Sequence, residues 1–96
     1  VRMLVCYDVD TRTPAGAKRL RRIAEACKDY GVRVQYSVFE CRIEPKDWVV
    51  LKTRLLSEYK AEEDSLRFYF LDEDSAAKTE HHGIKKPLDV MAPLVI

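Results

Sequence analysis

The chain has 96 residues, 47% hydrophobic and 34% charged, a balance that excludes a disordered polymer and a chain built around membrane spans. That length predicts a single domain over residues 1–96, with just enough interior for one core. Seventeen basic residues against sixteen acidic ones leave a net charge of +1, so partner preference has to be sought in how charge is distributed, not in its sum.

Residues 3–9 (MLVCYDV) form an apolar, β-branched run that reads as a strand closed by the polar stretch D-T-R-T-P. Met3, Val5, Tyr7 and Val9 share one face; Leu4 and Cys6 occupy the other until Asp8 ends it. A strand apolar on both faces is expected to be covered on both.

Thr13-Pro14 is a helix start, a hydroxyl cap followed by proline at the first helical position. Ala17, Leu20, Ile23, Ala24, Cys27 and Tyr30 recur at helical spacing and Gly31 is the stop, giving a helix over about residues 14–30. Residues 11–35 carry seven Lys/Arg and two acids, whereas residues 44–80 carry six and ten. Arg12, Lys18, Arg19, Arg21 and Arg22 therefore have two readings, a solvated helix face or a phosphate-binding one.

Residues 32–43 (VRVQYSVFECRI) alternate, with Val32, Val34, Tyr36 and Val38 on one side and Arg33, Gln35, Ser37 and Phe39 on the other. Without Gly, Pro or Asn to mark a turn, one bent strand and a tight hairpin both remain open. A second helix starts near Pro45 and buries Trp48, Leu51, Leu55 and Tyr59. Glu62, Glu63 and Asp64 read as a solvated loop, and residues 65–72 as a strand burying Leu66, Phe68 and Phe70. The acidic run Asp72-Glu73-Asp74 reads the same way as the first. His81 and His82 read as an exposed turn, and a last apolar piece from Val90 to Ile96, interrupted by Pro93, as a sheet edge.

This order predicts an α+β plait of four to five mainly antiparallel strands with two helices on one face. Two helices leave the other sheet face bare, and a second copy packed sheet against sheet is the expected cover. Cys6, Cys27 and Cys41 form no C-x-x-C pair and read as reduced, buried residues of a cytoplasmic protein, with no signal-peptide layout at the N-terminus. Three glycines cannot build a phosphate-binding Gly-rich loop. Asp8 reads either as a loop-capping carboxylate or as a ligand for a hard cation such as Mg²⁺, and it would be a thin site unless two copies met across a dimer axis.

Tyr7-Asp8-Val9 at the strand end, the basic helix ending in Tyr30-Gly31, and Arg33-Val34-Gln35-Tyr36-Ser37-Val38-Phe39-Glu40 together closely resemble the CRISPR-associated protein two family. The resemblance implies a ferredoxin-like fold and a symmetric homodimer in which residues 81–96 pack on the partner's sheet. It implies that residues 32–43 split into two strands and that Asp8 binds Mg²⁺ across the two-fold axis. By match of position, Tyr7, Arg33 and Phe39 join Asp8 as candidate site residues. The implied functions are two: the central dimer of a complex with the CRISPR integrase, holding double-stranded spacer DNA, and a metal-dependent endonuclease on single-stranded RNA or double-stranded DNA. A small dimeric regulator that binds a metabolite in the sheet cleft is the reading from outside that family.

Overall fold

The structure is a computed structural model of the chain and describes residues 1–71 and 79–84. The elements are β1 (Arg2–Asp8), α1 (Pro14–Tyr30), β2 (Gly31–Gln35), β3 (Val38–Arg42), α2 (Pro45–Glu58), β4 (Ser65–Phe70) and β5 (Thr79–Gly83). The strands make one antiparallel sheet in the order β2-β3-β1-β4-β5, which puts β1 at the centre. The first four strands and two helices have the ferredoxin-like connection pattern, in which β1 and β2 run parallel with β3 inserted between them.

Both helices cover one face. Ile23, Ala26 and Cys27 of α1 and Leu51 and Leu55 of α2 pack on Met3, Val5, Tyr7, Phe39, Cys41, Leu66 and Phe68 in a single cluster. Trp48 closes the α2 side, edge-on to Phe68 and Phe70 with ring centroids 4.8 and 5.7 Å apart. α1 begins as its sequence dictates: the Thr13 hydroxyl accepts a 3.1 Å hydrogen bond from the Gly16 amide. Its end falls at Gly31, as the sequence required. Gly31 is extended rather than left-handed and leads straight into β2. What demands glycine there is space, because a Cβ would lie 2.6 Å from both the Cys41 Sγ and the Glu40 carbonyl oxygen.

Residues 32–43 are a hairpin with residues 36–37 as its turn. Val32 opposes Glu40 and Arg33 opposes Phe39, but the register then shifts and Gln35 opposes Val38. Gln35 therefore does not share a face with Arg33 and Phe39 as the strict alternation predicted; two β2 residues oppose one on β3, as at a β-bulge. The valine row is also less covered than a buried strand requires, with Val32 70% exposed. On the face away from the helices Leu4 is 7% exposed within the single chain, and Cys6, Val38 and Glu40 are half-buried.

Two further expectations are corrected. His81 and His82 are not an exposed turn but half-buried residues of β5, opposite Arg67 and Leu66. Pairing with the apolar edge of β4 imposes a strand on a sequence with little intrinsic preference for one. The two rings do point apart, His81 Nδ1 lying 3.0 Å from an Arg67 Nη and His82 Nε2 2.7 Å from Glu80. Asp64, placed by its sequence in a solvated acidic run, is fully buried. The Asp72-Glu73-Asp74 run and the apolar piece Val90–Ile96 lie outside the described residues.

Candidate nucleic-acid interface and metal site

Adjacent residues of a strand point to opposite faces, and that rule divides the candidate site. Tyr7 points to the helix side, where its ring stacks on Phe39 at 6.3 Å and the Arg33 guanidinium lies over the same Phe39 ring at 5.1 Å. Tyr7, Arg33 and Phe39 are thus brought together. Burial pushes the Tyr7 hydroxyl above its ordinary range, reinforced by Cys27 and partly offset by Arg33, so it stays a neutral donor. It donates to the Tyr36 carbonyl at 3.3 Å. With its ring 5% exposed, Tyr7 shapes the β2–β3 turn and presents little surface to a ligand.

Asp8 faces the other way. It shares the open sheet face with Leu4 and Cys6, opposes Ser65 of β4, and is exposed. The structure therefore separates Asp8 from the Tyr7–Phe39–Arg33 cluster by the thickness of the sheet. Among the described residues there is no group of three or more His, Cys, Asp or Glu side chains able to hold a metal. The Asp10 carboxylate is committed to Arg12, whose Nε lies 2.9 and 3.1 Å from its two oxygens, and this pairing holds Asp10 well below the usual carboxylate range. Asp8 thus suits Mg²⁺ only in the manner typical of that ion, one or two carboxylates with water and phosphate completing the shell.

The basic segment is more neutralised than its sequence neighbourhood suggested, because acids from the other half of the chain reach it. Arg19 turns inward, its side chain 14% exposed, with Nε 2.8 Å from Asp64 and Nη2 3.0 Å from Glu63. Arg12 is held by Asp10; Arg22 lies 3.5 Å from Glu58 and Arg21 4.0 Å from Glu25. The Arg21 and Arg22 pairs are half open to water, where such contacts contribute little and yield to a competing anion. Lys18, Arg21 and Arg22 thus remain on an exposed helix face, while Arg19 is part of the framework.

Asp64 is the residue that sequence reasoning missed. Its carboxylate accepts four hydrogen bonds: from the Asp10 amide at 3.0 Å, the Lys60 amide at 2.8 Å, and Arg19 at 2.8 and 3.2 Å. Burial alone would push its pKa up, but the Arg19 side chain, the two amides and the Arg19 charge together hold it below the ordinary value. It ties the loop after Asp8 to α1 and to the α2–β4 loop. An acid immediately before a buried strand, with an arginine one helical turn inside α1, was the only signal in the sequence.

Fold and site together define a small α+β plait with a solvent-facing carboxylate at the end of its central strand and an exposed basic helix face. Residues 1–79 match the family described as CRISPR associated protein Cas2, and the chain belongs to that family. It is 52% identical to a CRISPR-associated endoribonuclease Cas2 of Chlorobaculum tepidum, over 98% of both chains. It is 45% identical to a CRISPR-associated endonuclease Cas2 of Halalkalibacterium halodurans, over 97% of both. A crystal structure of Streptococcus pyogenes Cas2 superposes with a TM-score of 0.70 at 51% identity, covering 77% of this chain and 89% of that one. Among the described residues no helix is long and apolar enough to cross a membrane.

Proposed function

We propose that this chain acts as a homodimer in CRISPR spacer acquisition, binding double-stranded DNA beside the integrase subunit, with a slow Mg²⁺-dependent endonuclease activity centred on Asp8. The observation that carries the reading is the placement of Asp8: exposed, at the end of the central strand, on the face opposite the helices, in a chain of the Cas2 family. Sheet-to-sheet association about a two-fold axis would bring two copies of Asp8 together, and like charges at short range call for a cation or proton between them. A Mg²⁺ held there would neutralise phosphate charge and acidify a bound water.

The remaining work falls to the chain's own groups. Lys18, Arg21 and Arg22 supply phosphate contacts that position the backbone without reading sequence. The relatives from Chlorobaculum tepidum and Halalkalibacterium halodurans are named as an endoribonuclease and an endonuclease, which supports phosphodiester hydrolysis as a second activity of the same surface. Among the described residues no group of three or more His, Cys, Asp or Glu side chains gathers to hold a metal, and a single ion with so few protein ligands should hydrolyse slowly.

The test is Asp8→Asn, assayed for Mg²⁺-dependent cleavage, duplex binding, and integration with the partner subunit. The expected result is loss of cleavage with duplex binding and integration retained. Cleavage that survives the substitution would remove Asp8 from the chemistry; loss of integration together with cleavage would refute the scaffold role.

A further inference from the structure

The β2–β3 turn carries, beside Ser37, a residue that the backbone does not ask for. Tight turns are mostly made of Gly, Pro, Asn, Asp and Ser, each for a conformational reason. Here the turn is Tyr36-Ser37, and none of the non-glycine residues described has a positive φ. Tyr36 is 90% exposed, so it is not there for the core either. Yet its backbone is fixed: the Tyr7 hydroxyl donates to the Tyr36 carbonyl at 3.3 Å, and the Tyr7 amide donates to the Ser37 carbonyl at 3.0 Å. A buried tyrosine, stacked on Phe39 beneath Arg33, thereby holds an exposed tyrosine in place.

The register says where. Cys6 opposes Val38, and the Tyr7–Ser37 hydrogen bond continues the β1–β3 ladder by one position. The next residue on one side is Asp8, the end of β1, and on the other Tyr36, in the turn, so both stand at the same end of the sheet. An exposed aromatic ring on a clamped turn therefore stands at the same end of the sheet as the carboxylate at which a phosphate would be handled. Aromatic rings and guanidinium planes are the surfaces on which unpaired nucleobases stack, and a ring on a fixed backbone loses less freedom when it does so.

We propose that Tyr36 is a stacking platform for an unpaired nucleobase, of single-stranded RNA or of a frayed DNA end, next to the phosphate positioned at Asp8. The inference rests on the nucleic-acid reading above and adds to it a preference for unpaired bases at this position.

The experiment measures binding of the full chain to labelled single strands of RNA and DNA, to the same strands carrying abasic spacers, and to a blunt duplex. Tyr36→Ala should weaken binding of intact single strands about 5- to 150-fold, the range seen when an aromatic stacking partner is removed. Abasic strands and blunt duplex should bind as to wild type. The salt slope should not move, because no phosphate contact is lost. Tyr36→Phe should restore binding, since the ring and not the hydroxyl is used. Equal losses on intact and abasic strands, a Phe variant as weak as the Ala variant, or a changed oligomeric mass by light scattering would each overturn the proposal, the last by making Tyr36 a protein contact. If wild type binds no strand or duplex, the nucleic-acid reading itself fails. If wild type binds and Tyr36→Ala binds equally, only the stacking role fails. RNA and DNA strands compared side by side identify which source of unpaired base the site takes.

Discussion

Replacing Asp64 by asparagine changes few atoms and removes the means by which four donors are satisfied. Each carboxylate oxygen accepts two hydrogen bonds, one from a backbone amide and one from Arg19. An amide group offers one acceptor oxygen and one NH₂, and whichever way it turns, the NH₂ meets an amide N–H and a guanidinium N–H head-on. The site is fully buried on the Asp64 side, so water cannot take up the mismatch. Breaking one partner of a buried ion pair costs about 3–5 kcal/mol. The lower end applies here, because Arg19 keeps Glu63 at 3.0 Å and is slightly open to solvent. About 3 kcal/mol corresponds to a fall in the urea midpoint of roughly 1–3 M, or in Tm of roughly 12–24 °C for a domain of this size.

The pH dependence gives an independent reading. The carboxyl is held below its ordinary pKa in the folded state, so its stabilisation is complete above the unfolded value near ~3.9 and is lost as pH falls through the lower folded one. Wild type should therefore show an acid limb that Asp64→Asn lacks, and the two midpoints should converge below about pH 4. Urea titrations of both proteins from neutral pH downward, with Arg19→Met and the double variant completing a cycle, measure this. A loss under ~1 kcal/mol at neutral pH, or parallel acid limbs, would refute the clasp.

Two predictions concern neighbouring features. Replacing Lys18, Arg21 and Arg22 by alanine should weaken duplex binding alike for all sequences and lower the salt slope by ~1 per lost phosphate contact, whereas Arg19→Ala should lower the unfolding midpoint and leave the slope unchanged; salt-dependent binding isotherms separate the two. Gly31→Ala should destabilise the fold by about 1–3 kcal/mol despite an extended backbone that alanine tolerates, because its Cβ has no room beside Cys41 Sγ and the Glu40 carbonyl; a urea midpoint equal to wild type would show that β3 gives way instead.

What the sequence made legible was what local physics decides. Thr13, Pro14 and the period of Ile23 and Cys27 mark α1 because a cap, a fixed φ and one apolar stripe act within a few residues. β1 and β4 were visible as apolar runs, and Leu66 and Phe68 are fully buried as their spacing required. What stayed hidden depends on residues far apart. Asp64 looks like any loop acid until Arg19, 45 positions earlier, folds against it. Gln35 follows the alternation until the β2–β3 register shifts. His82 is polar in the sequence, yet it packs 5.7 Å from Phe68 and is held by Glu80, which Lys52 of α2 also contacts.

The pair Tyr7-Asp8 shows how such distant effects decide chemistry. Read as a motif, two adjacent candidate residues invite a joint role at one point. A strand forbids it: Tyr7 enters the core and Asp8 leaves it. The core residue then acts at a distance through its hydroxyl and amide, which fix the turn at Tyr36 and Ser37 at the Asp8 end of the sheet. Phe39 and Arg33 belong to the same support, stacked on Tyr7's side of the sheet and not on Asp8's. Loss of any of these three would therefore loosen the hairpin beside the carboxylate without removing a ligand from it. That places substitutions of Tyr7 and Phe39 among positioning effects, and leaves Asp8 as the residue of the four on the open sheet face, where the proposed function puts the phosphate and the cation.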